Sequence, residues 1–209
     1  MKKLVLAITI AMMAIGGVAM AGYNADNVGV YFDAAATDIC MGNLTEVGIS
    51  AHHVYVALTN MNYDTVMGFE LALATDGPLA LSNFAFPAGS GAVNVQSAPS
   101  FMVGFGYPLV VENRMAVIME FDILIFSTNP VNWDVDGRGH VFVKNIFFHS
   151  MEEEVPAYVN GAAELVKLHQ STGTETDPVL FFSLYADGCE NIPVSADEAS
   201  WDSVKSLYR

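Results

Sequence analysis

Residues 54–73 read VYVALTNMNYDTVMGFELAL, two runs of alternating apolar and polar side chains divided by the polar stretch 60–65. Alternation with period two sends every second side chain to the same side of an extended chain, so each run has one face to bury and one to leave in water. Two such runs joined by a polar connection predict paired strands. The signature recurs, and the expected strands are 28–33, 45–50, 53–60, 67–75, 79–86, 101–105, 115–126, 139–148 and 179–184. Turn residues separate them: DGP at 76–78, PAGSG at 87–91, NP at 129–130 and DG at 136–137. No segment between Gly22 and Ile192 combines helical periodicity with caps over three turns.

The stretch 115–126, MAVIMEFDILIF, is nearly continuous apolar and is expected to be central, covered on both faces or bent from one sheet to the other. GAAELVKLH at 161–169 contains good helix formers but is short and sits among strands, so strand is favoured there. Nine or so short strands without crossover helices are most economically buried as an all-β, two-layer antiparallel sandwich of jelly-roll type, with residues 22–192 forming one domain.

Both ends differ from this middle. Lys2 and Lys3 precede the apolar run 4–18, and Ala19-Met20-Ala21 supplies the small residues of a cleavage site, so residues 1–21 read as a secretory signal. The apolar run is too short to span a bilayer. At the other end, SADE at 195–198 has the form of a capping box, and Trp201, Val204 and Tyr208 then share one helical face. Residues 193–209 are therefore expected to form a short amphipathic helix, either docked on the sandwich or exposed as a tag for export, anchoring or a partner.

The chain carries 23 acidic and 8 basic residues, a net charge of −15, which becomes −17 once Lys2 and Lys3 leave with the leader. Nucleic acid and anionic lipid are repelled by such a surface. Cys40 and Cys189 are the two cysteines, one near each end of the exported part, and in an oxidising compartment they are expected to pair. Closing a loop of about 150 residues stabilises by about 5 kcal/mol in the chain-entropy model.

Chemistry is sparse. The AGSG at 88–91 is not a nucleophile elbow, and GFG at 104–106 followed by Tyr107-Pro108 is not a phosphate loop. His52 and His53 are adjacent and point to opposite faces of a strand, while His140 and His149 are an odd number apart, which leaves His169 without a ready partner. Glu120 and Asp122 share a face and are the residues an acid-pair mechanism would use. NWDVDG at 132–137 matches the opening of a calcium loop through Asn132, Asp134 and Asp136, but Val143 stands where a bidentate glutamate is required. An irregular Ca2+ site and a plain acidic turn both remain open, and no other cofactor is implied.

VYVALTNMNYDTVMGFELALATDGPLALSN also resembles the opening of a cohesin domain, with TDGPL at 75–79 standing at that family's "YDP.vL" turn. RMAVIMEF at 114–121 is similar to the family's central strand, and Asp136-Gly137 followed by HVFVKNIF at 140–147 to its "DG.fa.i.f.v" strand. The match covers about residues 54–148. It implies a nine-stranded jelly-roll that acts by binding, as cohesins hold dockerin modules in polysaccharide-degrading complexes.

The sequence thus predicts a secreted, non-catalytic β-sandwich serving as a structural, adhesive or protein-binding module, with a protein partner or self-assembly. A carbohydrate-binding module is the alternative, because Trp133, Tyr107, Tyr63 and Tyr158 fall in loop-like stretches from which an aromatic platform for polysaccharide could be built. A polysaccharide-acting enzyme using Glu120 and Asp122 is the third reading.

Overall fold

The computed structural model describes residues 25–44, 49–146, 155–172, 177–185 and 187–189. The expected leader at 1–21, the expected helix at 193–209 with Trp201, Val204 and Tyr208, residues 45–48 of one expected strand, and His149 lie outside the described residues.

Two sheets form a sandwich. The first runs β12 (His169–Gln170), β1 (Asn27–Tyr31), β3 (Ser50–Thr59), β8 (Ala116–Ile125), β5 (Leu79–Ala85) from edge to edge. The second runs β11 (Leu165–Lys167), β10 (Ala157–Asn160), β4 (Thr65–Asp76), β9 (Arg138–Lys144), β13 (Leu180–Ser183), β2 (Cys40–Met41). β7 (Ser100–Val110) pairs along β4, and β6 (Ala92–Asn94) along β7. Pairing is antiparallel except at β1–β12 and β13–β2.

Period-two burial explains the layers. In β3, Val54, Val56 and Leu58 turn inward, as do Phe121, Ile123 and Ile125 of β8 and Leu71, Leu73, Val141 and Val143 of the opposite sheet, and all are buried. Removing about 25 cal/mol of unfavourable hydration per Å² of this apolar surface drives the sheets together. β8 has a partner on each edge, β3 and β5, as a central strand must. Inside the sandwich, Gln170 Nε2 donates across the interior to the Val143 carbonyl at 2.6 Å, tying an edge of the first sheet to the middle of the second.

Thirteen strands are found among the described residues, against the nine or so expected. β11 falls in the stretch 161–169 where strand is favoured, and the additions are β2, β6, β10 and β12, each two to four residues long. None is long enough to display alternation, and β6 lies in the stretch after Pro87 that reads as a loop. Within 161–169, a turn is followed by β11, and the chain then passes at the buried Leu168 into β12 of the other sheet. A 3₁₀ turn, Pro130–Asn132, is the helical element the described residues contain.

Candidate functional site

The side of β8 that faces away from the core carries Glu120 and Asp122. β3 runs antiparallel beside it with Asp122 opposite His53 and Glu120 opposite Tyr55. On the other edge of β8, the register of β5 slips between Ser82 and Ala85. Asn83 occupies that bulge with φ of +55°, a left-handed conformation that asparagine tolerates better than most residues. The bulge aims its amide at β8, and Asn83 Nδ2 donates to Asp122 Oδ2 at 2.8 Å.

His53 completes the group. Its Nδ1 lies 2.8 Å from Asp122 Oδ1 and its Nε2 lies 3.5 Å from Glu120 Oε2. The ring stands edge-on to Tyr55, centroids 5.0 Å apart. The hydrogen bond to Asp122 holds the His53 imidazole above its ordinary range; burial works the other way, and Glu120 adds to the rise. The bond from Asn83, and then that with His53, hold the Asp122 carboxyl below its ordinary range. These side chains are open to water, with exposures of 47% for His53, 44% for Glu120 and 26% for Asp122. Three strands thus present an open polar surface on which an aspartate is fixed from both sides.

Cavities lined by described residues lie elsewhere. One of about 470 Å³ opens between β4 and β5, lined by Leu73, Thr75, Leu81, Phe84 and Pro99. Another, about 220 Å³, lies between Met41, Leu44, Ser50, His52 and Ile125. His52 turns inward there, opposite in direction to His53, with its Nε2 3.0 Å from Ser50 Oγ. A second histidine–carboxylate pair sits on the other sheet, where His140 Nδ1 is 2.9 Å and 3.0 Å from the two oxygens of Asp76.

Cys40 and Cys189 form a disulfide, Cα atoms 5.8 Å apart, fastening β2 to the stretch after β13. In the NWDVDG loop, Asp134 Oδ1 accepts from the backbone N–H groups of Asp136 (3.0 Å) and Arg138 (2.6 Å), and Asn132 Nδ2 donates to Ser127 Oγ at 2.6 Å. Asn132 and Asp134 are therefore engaged in holding the loop's own shape. The aromatic platform is not assembled. Trp133 is only 7% exposed, its Nε1 donating to the Ser127 carbonyl, and Tyr158 is fully buried with its hydroxyl donating to Asp26 at 2.7 Å. Burial, then the adjoining Asp26, push the Tyr158 phenol above its ordinary range. Tyr107 and Tyr63 stay exposed.

Glu120 and Asp122 share a face, as their spacing requires, but they stand on an open sheet rather than in a cleft. His53 and Asn83 are the members that the sequence did not bring to them. The available signal for Asn83 was weak: Ser82-Asn83 interrupts the apolar run of β5, and asparagine is enriched at positive φ.

No protein-family model matches the chain, and no curated protein matches it. Among solved structures, it is similar to the sixth cohesin of Acetivibrio cellulolyticus scaffoldin B, determined in complex with a Cel5 dockerin mutant. That likeness has 12% identity and a TM-score of 0.48, over 77% of this chain and 99% of the other. A third ScaB cohesin of R. flavefaciens, in complex with a group 1 dockerin, matches with 14% identity and a TM-score of 0.45 over 77% and 96%. The cohesin module of a Clostridium perfringens family 33 glycoside hydrolase matches with 10% identity and a TM-score of 0.40 over 69% and 90%.

Proposed function

We propose that the chain is an exported, non-catalytic module that docks a protein partner on the outer face of β3, β8 and β5. The observation that carries this is the hydrogen-bonded row His53–Asp122–Asn83, which fixes charged groups on an open surface. Small molecules need concave walls that bury most of their area, whereas open surfaces with oriented polar groups suit a broad partner. Protein binding is also what the sequence resemblance of residues 54–148 to cohesins implies. A foreign partner is favoured over a second copy, because two exported chains of charge −17 repel. Export is supported by the leader pattern and the Cys40–Cys189 bond.

Site-specific photo-crosslinking tests the reading. A photoreactive residue placed at Ala51, exposed on the outer side of β3, is compared with one at Val93, exposed on β6 of the other sheet. Protein adducts in the producing cell's own secretions are expected from position 51 and not from position 93. Equal labelling at both, or labelling at 93 alone, overturns it.

A further inference from the structure

We infer that His53, Glu120 and Asp122 form a proton-operated clasp, and that the partner fitting this face is a basic protein surface held more tightly when the clasp is open. The inference rests on reading this face as the docking surface.

The geometry is unusual in that both ring nitrogens of His53 face a carboxylate, Nδ1 toward Asp122 and Nε2 toward Glu120. Only the imidazolium has a proton on each nitrogen, so only the charged form donates to both. When the proton leaves, one nitrogen turns a lone pair toward a carboxylate oxygen and that contact becomes repulsive. Asp122 is the member that stays, because Asn83 holds its second oxygen. Glu120, at 3.5 Å and the more exposed of the two carboxylates, is the member that lets go.

Among the described residues, the surroundings do not blur this. Tyr55 lies beside the ring on β3. β5, whose sequence is LALSNFA, brings no ionisable group. The Tyr31–Tyr55 register of β1 and β3 puts Asp33 in line with His53 beyond the end of β1, but its carboxylate is committed to Thr37 and Asp38. The trio therefore changes from a net −1 to a net −2 as a single proton leaves. With 23 acidic against 8 basic residues behind it, a face that gains negative charge and frees a mobile carboxylate is complementary to lysine and arginine.

The test uses isotope-labelled disulfide-bonded protein, with a lysine-rich peptide as probe, at low salt and at about pH 6 and about pH 8. Peptide-induced shifts are expected at Ala51, Tyr55 and Leu124, with binding about threefold tighter at the higher pH. In H53Q the two affinities are expected to become equal. The His53 ring resonances, followed without peptide, should titrate at lower pH in E120Q than in the parent protein. E120Q alters an exposed side chain, so this readout survives if H53Q folds poorly. Shifts on this face with the same pH ratio in H53Q overturn the clasp and leave the docking face standing. Shifts confined to other acidic surfaces overturn the docking face and the clasp's partner with it.

Discussion

The outer face of the first sheet is divided into two halves of opposite character. Near β1, the segment after Tyr31 folds back so that Phe32 N donates to Asp38 O, and Tyr31, Ala36 and Ala57 are buried beneath it with Ile39, Met115 and Val117 packed alongside. Near β5, the same face of the same strands is open and carries His53, Glu120 and Asp122. Tyr55 and Ala57 of β3 are two residues apart and point the same way, yet only Ala57 is fully buried. Alternation therefore decides which side of a sheet a residue occupies, while a single covering loop decides whether that side is core or surface.

The closed half is expected to be the more sensitive. A Cβ added at Gly29 would stand 2.3 Å from Ser171 Oγ and 2.5 Å from the Tyr31 hydroxyl, so Gly29→Ala is expected to cost about 2–3 kcal/mol in chemical denaturation. Unchanged stability would mean that this half is not packed shut.

Next in size is the latch of the covering loop. Asp33 Oδ1 accepts from Thr37 N at 2.8 Å and Asp38 N at 3.3 Å, and its other oxygen from the Thr37 hydroxyl. Burial alone would raise this carboxyl, but the bonds from Thr37 and Asp38 outweigh it and hold the group below its ordinary 3.8. Asp33→Ala is expected to cost about 1 kcal/mol at neutral pH. A depressed carboxyl stabilises above its unfolded value, so the difference between parent and variant should vanish as pH falls through the depressed value, measured by melting at stepped pH.

In the open half, H53Q is expected to cost under about 0.5 kcal/mol, since water screens so exposed a group. The sign is opposite to that of Asp33. A raised imidazole stabilises fully below its ordinary 6.5 and ceases to do so as pH rises through its folded value, so parent and variant should converge in alkaline buffer. The smallest effect is expected for Ala51→Lys, within about 0.5 kcal/mol of the parent, because that side chain enters solvent. A larger loss would show that the open half is covered after all.

The layers and the central place of 115–126 were legible in the sequence, because burial on alternate positions leaves a mark that needs no knowledge of partners. So were the opposed directions of His52 and His53 and the shared face of Glu120 and Asp122. What joins His53 to Asp122 is strand register between residues 69 apart in the chain, and no local pattern records it. Trp133 shows a second limit. It reads as a loop aromatic available to a ligand, but the loop turns back and gives the indole N–H the Ser127 carbonyl as partner. Strands of two to four residues, such as β2 and β12, exist through their neighbours' edges rather than through their own composition.

The bond between Cys40 and Cys189 also governs how the module answers a mechanical pull. Tension applied through segments preceding residue 40 and following residue 189 crosses from one to the other through two sulfur atoms, bypassing residues 41–188. Among the described residues, β1 and the stretch leading to Cys40 can peel away, which releases about 5 nm of slack at some 3.5 Å per residue. Under such a load, the three strands that carry His53, Asp122 and Asn83 would stay unstretched.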